Sequence, residues 1–130
     1  MTKQYLRTPD DPLRSGQSVI DERYPNTHIG QEASWLLLGP ETIFSKYDLG
    51  NLNSGKLEIS IDSYTSGGNT VPHSHPEREQ AYYIISGRAS VVVDAEERVL
   101  GPGSVAFIPP GTMHSFQIVG EDMLTLLVIS

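Results

Sequence analysis

From residue 32 onward the chain is a succession of short apolar or alternating runs: "ASWLLLG", "TIFSKYDL", "KLEISIDSY", "QAYYIIS", "RASVVVDA", "ERVL", "SVAFIP", "HSFQIV" and "MLTLLVIS". Gly, Pro, Asn or Asp bounds each of them. Turn residues at such short intervals are the pattern of an all-β sandwich or barrel, and no segment reads as a long helix. "KLEISIDSY" alternates cleanly, with Leu57, Ile59 and Ile61 on one face and Glu58, Ser60 and Asp62 on the other. One face of that strand is expected to be buried and the other wet or functional. "ASVVVDA" and "LTLLVI" are apolar on both faces, as expected of strands between two layers or under a subunit contact. Residues 1–30 are polar and punctuated by Pro9, Pro12, Gly16 and Pro25 without a sustained period, which predicts an extended arm or loop. The expected organisation is an arm over 1–30 and one β-barrel over 31–130.

Composition narrows the chemistry. With no cysteine in 130 residues, disulfides, thiolate metal sites and cysteine nucleophiles are excluded, so a metal would need His, carboxylate or amide ligands. The net charge of -7, with scattered Lys and Arg, argues against nucleic acid as a partner. The N-terminus has no apolar signal-like core, and the most apolar runs are too short to span a bilayer, so a soluble cytoplasmic protein is expected.

The chemistry-bearing stretch is "HSHPEREQAYYIISG", His73 to Gly87. His73 and His75 are two apart, so on an extended strand both rings project from one face, as two ligands of one ion require. A third histidine, His114, follows the Pro-Pro-Gly turn of "PPGTMHSFQ" at the start of another strand. His28, isolated in the arm, reads as structural or exposed.

These segments resemble the two motifs of the cupin superfamily over roughly the second half of the chain. The first family motif is Gly, five residues, His-x-His, three or four residues, Glu, six residues and Gly; Gly67, His73, His75 and Gly87 match it. The second is Gly, five residues, Pro-x-Gly, two residues, His, three residues and Asn; Gly103, Pro109, Gly111 and His114 match it. Ile118 stands where the final Asn would be. The resemblance implies a double-stranded β-helix, or jelly-roll barrel, with a divalent metal held by His73, His75 and His114 plus a fourth ligand from the motif-one Glu position.

Glu79 and Gln80 compete for that position. Counting forward from His75 allows either, whereas counting back from Gly87 places six residues after Gln80 and seven after Glu79. The backward count runs along an uninterrupted strand, where a slip of one would exchange its two faces, while Pro76 to Glu79 can absorb an extra residue as a turn or bulge. Gln80 is therefore the expected ligand, and Glu79 becomes a nearby base or a solvated charge.

Three imidazoles and an amide form a neutral set that leaves a divalent ion its full charge as a Lewis acid. Imidazole suits Zn, Ni, Fe and Cu, and Mn tolerates an amide oxygen, so the ion stays open. If Gln80 faces inward, Tyr82 and Ile84 share its face and meet His114, Phe116 and Ile118 across a mostly apolar cavity. Tyr82 is then a candidate general acid or simply a core aromatic; Arg78 and Arg88 are weaker candidates for holding a substrate carboxylate. The expected function is isomerisation, cyclisation or elimination on a small carbonyl-bearing substrate. Alternatives are a dioxygenase acting on an enol, diketone or catechol, and a non-catalytic small-molecule-binding module. A sensor fused to a DNA-binding helix pair is disfavoured because the sequence stops at Ser130, after the last strand. The arm and the two-sided strands predict a homodimer, with the arm or Trp35 to Leu38 adding to a neighbouring sheet.

Overall fold

The computed structural model describes Leu6, Thr8 and residues 27–39 and 54–130. Among these are eight strands and no helix: β1 (His28–Leu38), β2 (Ile59–Thr70), β3 (Gln80–Ser86), β4 (Ala89–Val93), β5 (Glu96–Leu100), β6 (Val105–Ile108), β7 (His114–Ile118) and β8 (Leu124–Ile129). The all-β reading of the punctuated runs is thus the observed architecture. The expected strand over 42–49 and most of the arm lie outside the described residues, and β1 begins at His28, inside the segment assigned to the arm.

All pairings are antiparallel, in the order β5-β4-β7-β2-β8-β3-β6, with β1 on the remaining edge of β2. β2 joins the halves: residues 59–64 pair with β8, Asn69 pairs with Gln117 of β7, and β1 runs along its other side. Between the two pairings the strand passes through Gly67, whose φ of 81° lies in the left-handed region that favours glycine. β4 comes round against β6, so the sheet curls into a nearly closed barrel.

The core follows the period-2 patterns. Tyr82 and Ile84 of β3, Phe116 and Ile118 of β7, and Leu124 and Leu126 of β8 are buried in one cluster with Tyr64 of β2. Burying each large aliphatic side chain of this kind contributes roughly 1.5–3 kcal/mol. The other face of β3 looks outward, with Tyr83 and Ile85 exposed. That inside–outside assignment is pinned at Gly87, where φ is 82° and an added Cβ would collide with the Met123 carbonyl oxygen.

In β2 the faces are distributed unexpectedly. Leu57, just before the strand, is exposed and Ile59 and Ile61 are only half-buried, while Glu58, Ser60 and Asp62 turn toward the interior cavity. The wet or functional face of the alternation is therefore the inner one.

Candidate metal centre

Two loops deliver the histidines. His73 and His75 lie in the Pro-flanked segment before β3, and His114 opens β7 after the Pro-Pro-Gly turn. A short bridge ties the loops: the His73 N–H donates to the His114 carbonyl at 3.1 Å and the His114 N–H to the His73 carbonyl at 2.9 Å. The Gly111 N–H donates to the His75 carbonyl at 2.8 Å, fixing the turn against the same segment. Ring centroids are 4.2 Å apart for His73 and His114, 5.0 Å for His73 and His75, and 5.2 Å for His75 and His114. One nitrogen from each ring lies within 4.8 Å of the other two, a span that one ion can bridge as the rings swing inward.

The protonation pattern fits a cation. Nδ1 of His73 lies 2.6 Å from the Val71 carbonyl and Nδ1 of His114 lies 2.9 Å from the Thr112 carbonyl. A carbonyl only accepts, so each Nδ1 carries a proton, and Nε2 is the nitrogen left to face an ion. Nε2 of His114 is buried without a hydrogen-bond partner. A buried acceptor left unsatisfied costs about 1–3 kcal/mol, and a coordinated ion would satisfy it. Burial, with help from the neighbouring histidines, lowers the His75 pKa to about 4; burial also lowers that of His114, against the opposing effect of its Thr112 hydrogen bond. Both rings are therefore neutral, as metal ligands must be.

Gln80 and Glu79 part company. Gln80 lines the cavity, its amide nitrogen donating to Ser130 Oγ at 3.2 Å and its Oε1 lying 3.5 Å from the Tyr82 hydroxyl. Glu79 is exposed and lines an outer groove with Lys56 and Leu57. Tyr82 is buried, its ring 6.3 Å from that of His114 and 6.0 Å from that of Phe116. Burial and then the charge of Asp62 push its phenol above the ordinary range, so Tyr82 stays protonated and keeps a proton to donate. Arg78 is ion-paired to Glu58 at 2.8 Å on the cavity wall, whereas Arg88 is exposed.

The cavity is polar, not mostly apolar as the pattern of β3 and β7 suggests. Besides Phe116, Leu126 and Val128, its walls are built from His28, Gln31, Ser34, Glu58, Ser60, Asp62 and Arg78. Ser34 of β1 donates to Asp62 of β2 at 2.8 Å, and Gln31 Nε2 donates to the Tyr64 hydroxyl at 3.5 Å. His28, read from sequence as a bystander, lines the same cavity with its ring 5.9 Å from that of His73. Pairing of β1 with β2 brings these residues in, and no local pattern in the sequence announces that pairing. A signal did exist for Asp62, which sits on the polar face of "KLEISIDSY". The cavity is partly open to solvent.

A nearly closed antiparallel barrel that brings three histidines together defines a class of small β-barrels with a candidate metal site. The chain belongs to the cupin family: the family profile described as "Cupin domain" matches residues 54–130. It is 32% identical over 73 residues to an uncharacterized protein of Streptomyces coelicolor, covering 55% of this chain and 70% of that one. An uncharacterized protein of Methanocaldococcus jannaschii is 34% identical over 64 residues, 49% of this chain and 51% of that relative. Among solved structures, KdgF from Halomonas sp. superposes with a TM-score of 0.61 at 22% identity, covering 78% of each chain. The DMSP lyase DddQ from Ruegeria pomeroyi superposes with a TM-score of 0.62 at 24% identity, covering 86% of this chain and 50% of that one. At these identities the structural likeness establishes the fold. Among the described residues no helix is long and apolar enough to cross a membrane.

Proposed function

We propose that this chain is an enzyme that uses a divalent ion as a Lewis acid on a small carbonyl-bearing substrate, for isomerisation, cyclisation or elimination. His73, His75, His114 and the Gln80 amide oxygen would hold the ion, which when bound polarises a carbonyl. The observation that carries the reading is the unpartnered buried Nε2 of His114, converging with the imidazoles of His73 and His75, which line a polar cavity. All four donors are neutral, so nothing in the set diminishes the charge of the ion. Ser130 holds the Gln80 amide by its nitrogen, leaving the oxygen toward the cavity. Tyr82, kept protonated, can donate to a developing oxyanion. Glu79, outside the cavity, is left as a solvated charge.

The proposed ion is Zn, Ni, Mn or Fe, and the proposed assembly is a homodimer built on exposed apolar surface. The test is to strip the protein with chelator and reload it with Zn or Fe(II). One ion per chain, with conversion of carbonyl compounds supported by Zn, is expected. Conversion only with Fe, accompanied by substrate-dependent oxygen uptake, would replace this reading with a dioxygenase.

A further inference from the structure

The wall facing the histidines carries features that a bare metal site does not require. Asp62 projects into the cavity from β2, and Ser34 of the neighbouring strand donates to its Oδ1 at 2.8 Å. The carboxylate is thereby held in one orientation on a rigid pair of strands. One turn of the pleat away, Gln31 uses its amide nitrogen on Tyr64, and its Oε1 is buried without a hydrogen-bond partner. A buried acceptor without a partner on a residue that lines the cavity calls for a donor, which a bound molecule can supply. Asp62 lines this cavity together with Tyr64 and Tyr82.

We propose that Asp62 is the proton-accepting group of the site, and that Asp62 and Gln31 select a small carbonyl compound bearing a hydroxyl on the adjacent carbon. This rests on the reading of the histidine cluster as a carbonyl-activating centre. With the substrate carbonyl oxygen toward the histidines, the hydroxyl-bearing carbon faces the β1–β2 wall. The C–H bond at that carbon breaks and its proton forms an O–H bond with the Asp62 carboxylate. The C–H electron pair becomes the new carbon–carbon double bond, and the carbonyl π pair moves onto oxygen, giving an enediolate. Reversal returns the proton from Asp62 to the same carbon, or to the former carbonyl carbon when the hydroxyl proton passes to the other oxygen. No oxidant or reductant is consumed. The substrate hydroxyl donates to the Gln31 Oε1 that otherwise lacks a partner.

Two arms test this on the full zinc-loaded chain. In the binding arm, calorimetry compares glycolohydroxamate with acetohydroxamate, two zinc-chelating probes that differ by one hydroxyl. The wild type should prefer the hydroxylated probe by at least about tenfold, because a site built to hydrogen-bond a hydroxyl rejects the analogue lacking it. Gln31→Leu and Asp62→Asn should abolish the preference while still binding both probes. In the exchange arm, glycolaldehyde and dihydroxyacetone are incubated in heavy water and followed by proton NMR, with pyruvate as the hydroxyl-free control. Deuterium should enter the hydroxyl-bearing carbon in wild type, at least about tenfold faster than it enters pyruvate. Asp62→Asn should slow this about 100-fold or more with zinc content unchanged. Exchange within threefold of wild type in Asp62→Asn, equal binding of the two probes by wild type, or loss of zinc from Asp62→Asn would each overturn the proposal. Failure of both probes to bind, or absence of all exchange in zinc-loaded wild type, would overturn the carbonyl-activating reading and this proposal with it.

Discussion

His114 concentrates the chemistry of the site in one atom. Its Nδ1–H is held by the Thr112 carbonyl and its Nε2 is buried without a partner, so removing the ring removes a donor that is already aimed. His114→Ala should weaken zinc binding by more than about 100-fold in a chelator competition, since even partners behind the ligands of such sites are worth about 10–100-fold. Glu79→Ala should leave zinc affinity unchanged, while Gln80→Ala should lower it. The histidines also give the metal-free protein a pH dependence. Unfolded His75 takes up a proton near its ordinary 6.5, whereas in the folded chain it does so only near 4, and His114 shifts the same way. Between those values the unfolded state binds more protons, so stability rises with pH and is lost on acidification. Thermal midpoints of the metal-free protein should fall between pH 6.5 and 5, and fall less in His75→Gln. The three histidines were legible because two motifs of fixed spacing contain them. His28, Gln31 and Ser34 were not, because only the pairing of β1 with β2 makes them neighbours of His73 and Asp62.

At the level of the strands, the period of 2 carried most of the information. The runs that became β3, β7 and β8 each placed alternate residues in the core, and Gly87 set which alternates. Gly87→Ala should cost roughly 2 kcal/mol or more, because it combines left-handed backbone with a collision against a fixed carbonyl. In a chain of this size that is a drop of about 8 °C in the thermal midpoint. Gly111→Ala, with positive φ but nothing near the added Cβ, should cost less. Alternation reveals that a strand has two faces without saying which one is inner. In β2 the inner face is the polar one, since the barrel holds a cavity where a core would otherwise be. The expectation of an apolar cavity failed on that strand and on β1, whose inward residues at this level are Gln31 and Ser34.

Taken as one molecule, the barrel separates an apolar core from a polar, histidine-bearing cavity, with β2 contributing Tyr64 to the first and Asp62 to the second. Its outer surface on β3 and β6 carries exposed Tyr83, Ile85, Val105 and Phe107, an apolar grouping of the kind that marks contact surfaces. Solution scattering should therefore return a mass twice that of the 14.3 kDa chain, and Phe107→Lys should shift the equilibrium toward monomer. The measurement that bears most directly on the central claim is an anomalous-difference map from a crystal of the zinc-loaded protein, recorded on both sides of the zinc edge. The expected result is a single peak bonded to His73 and His114 through Nε2, to one ring nitrogen of His75 and to Gln80 through Oε1. A peak coordinated by Glu79, or full zinc occupancy elsewhere with this cluster empty, would contradict it.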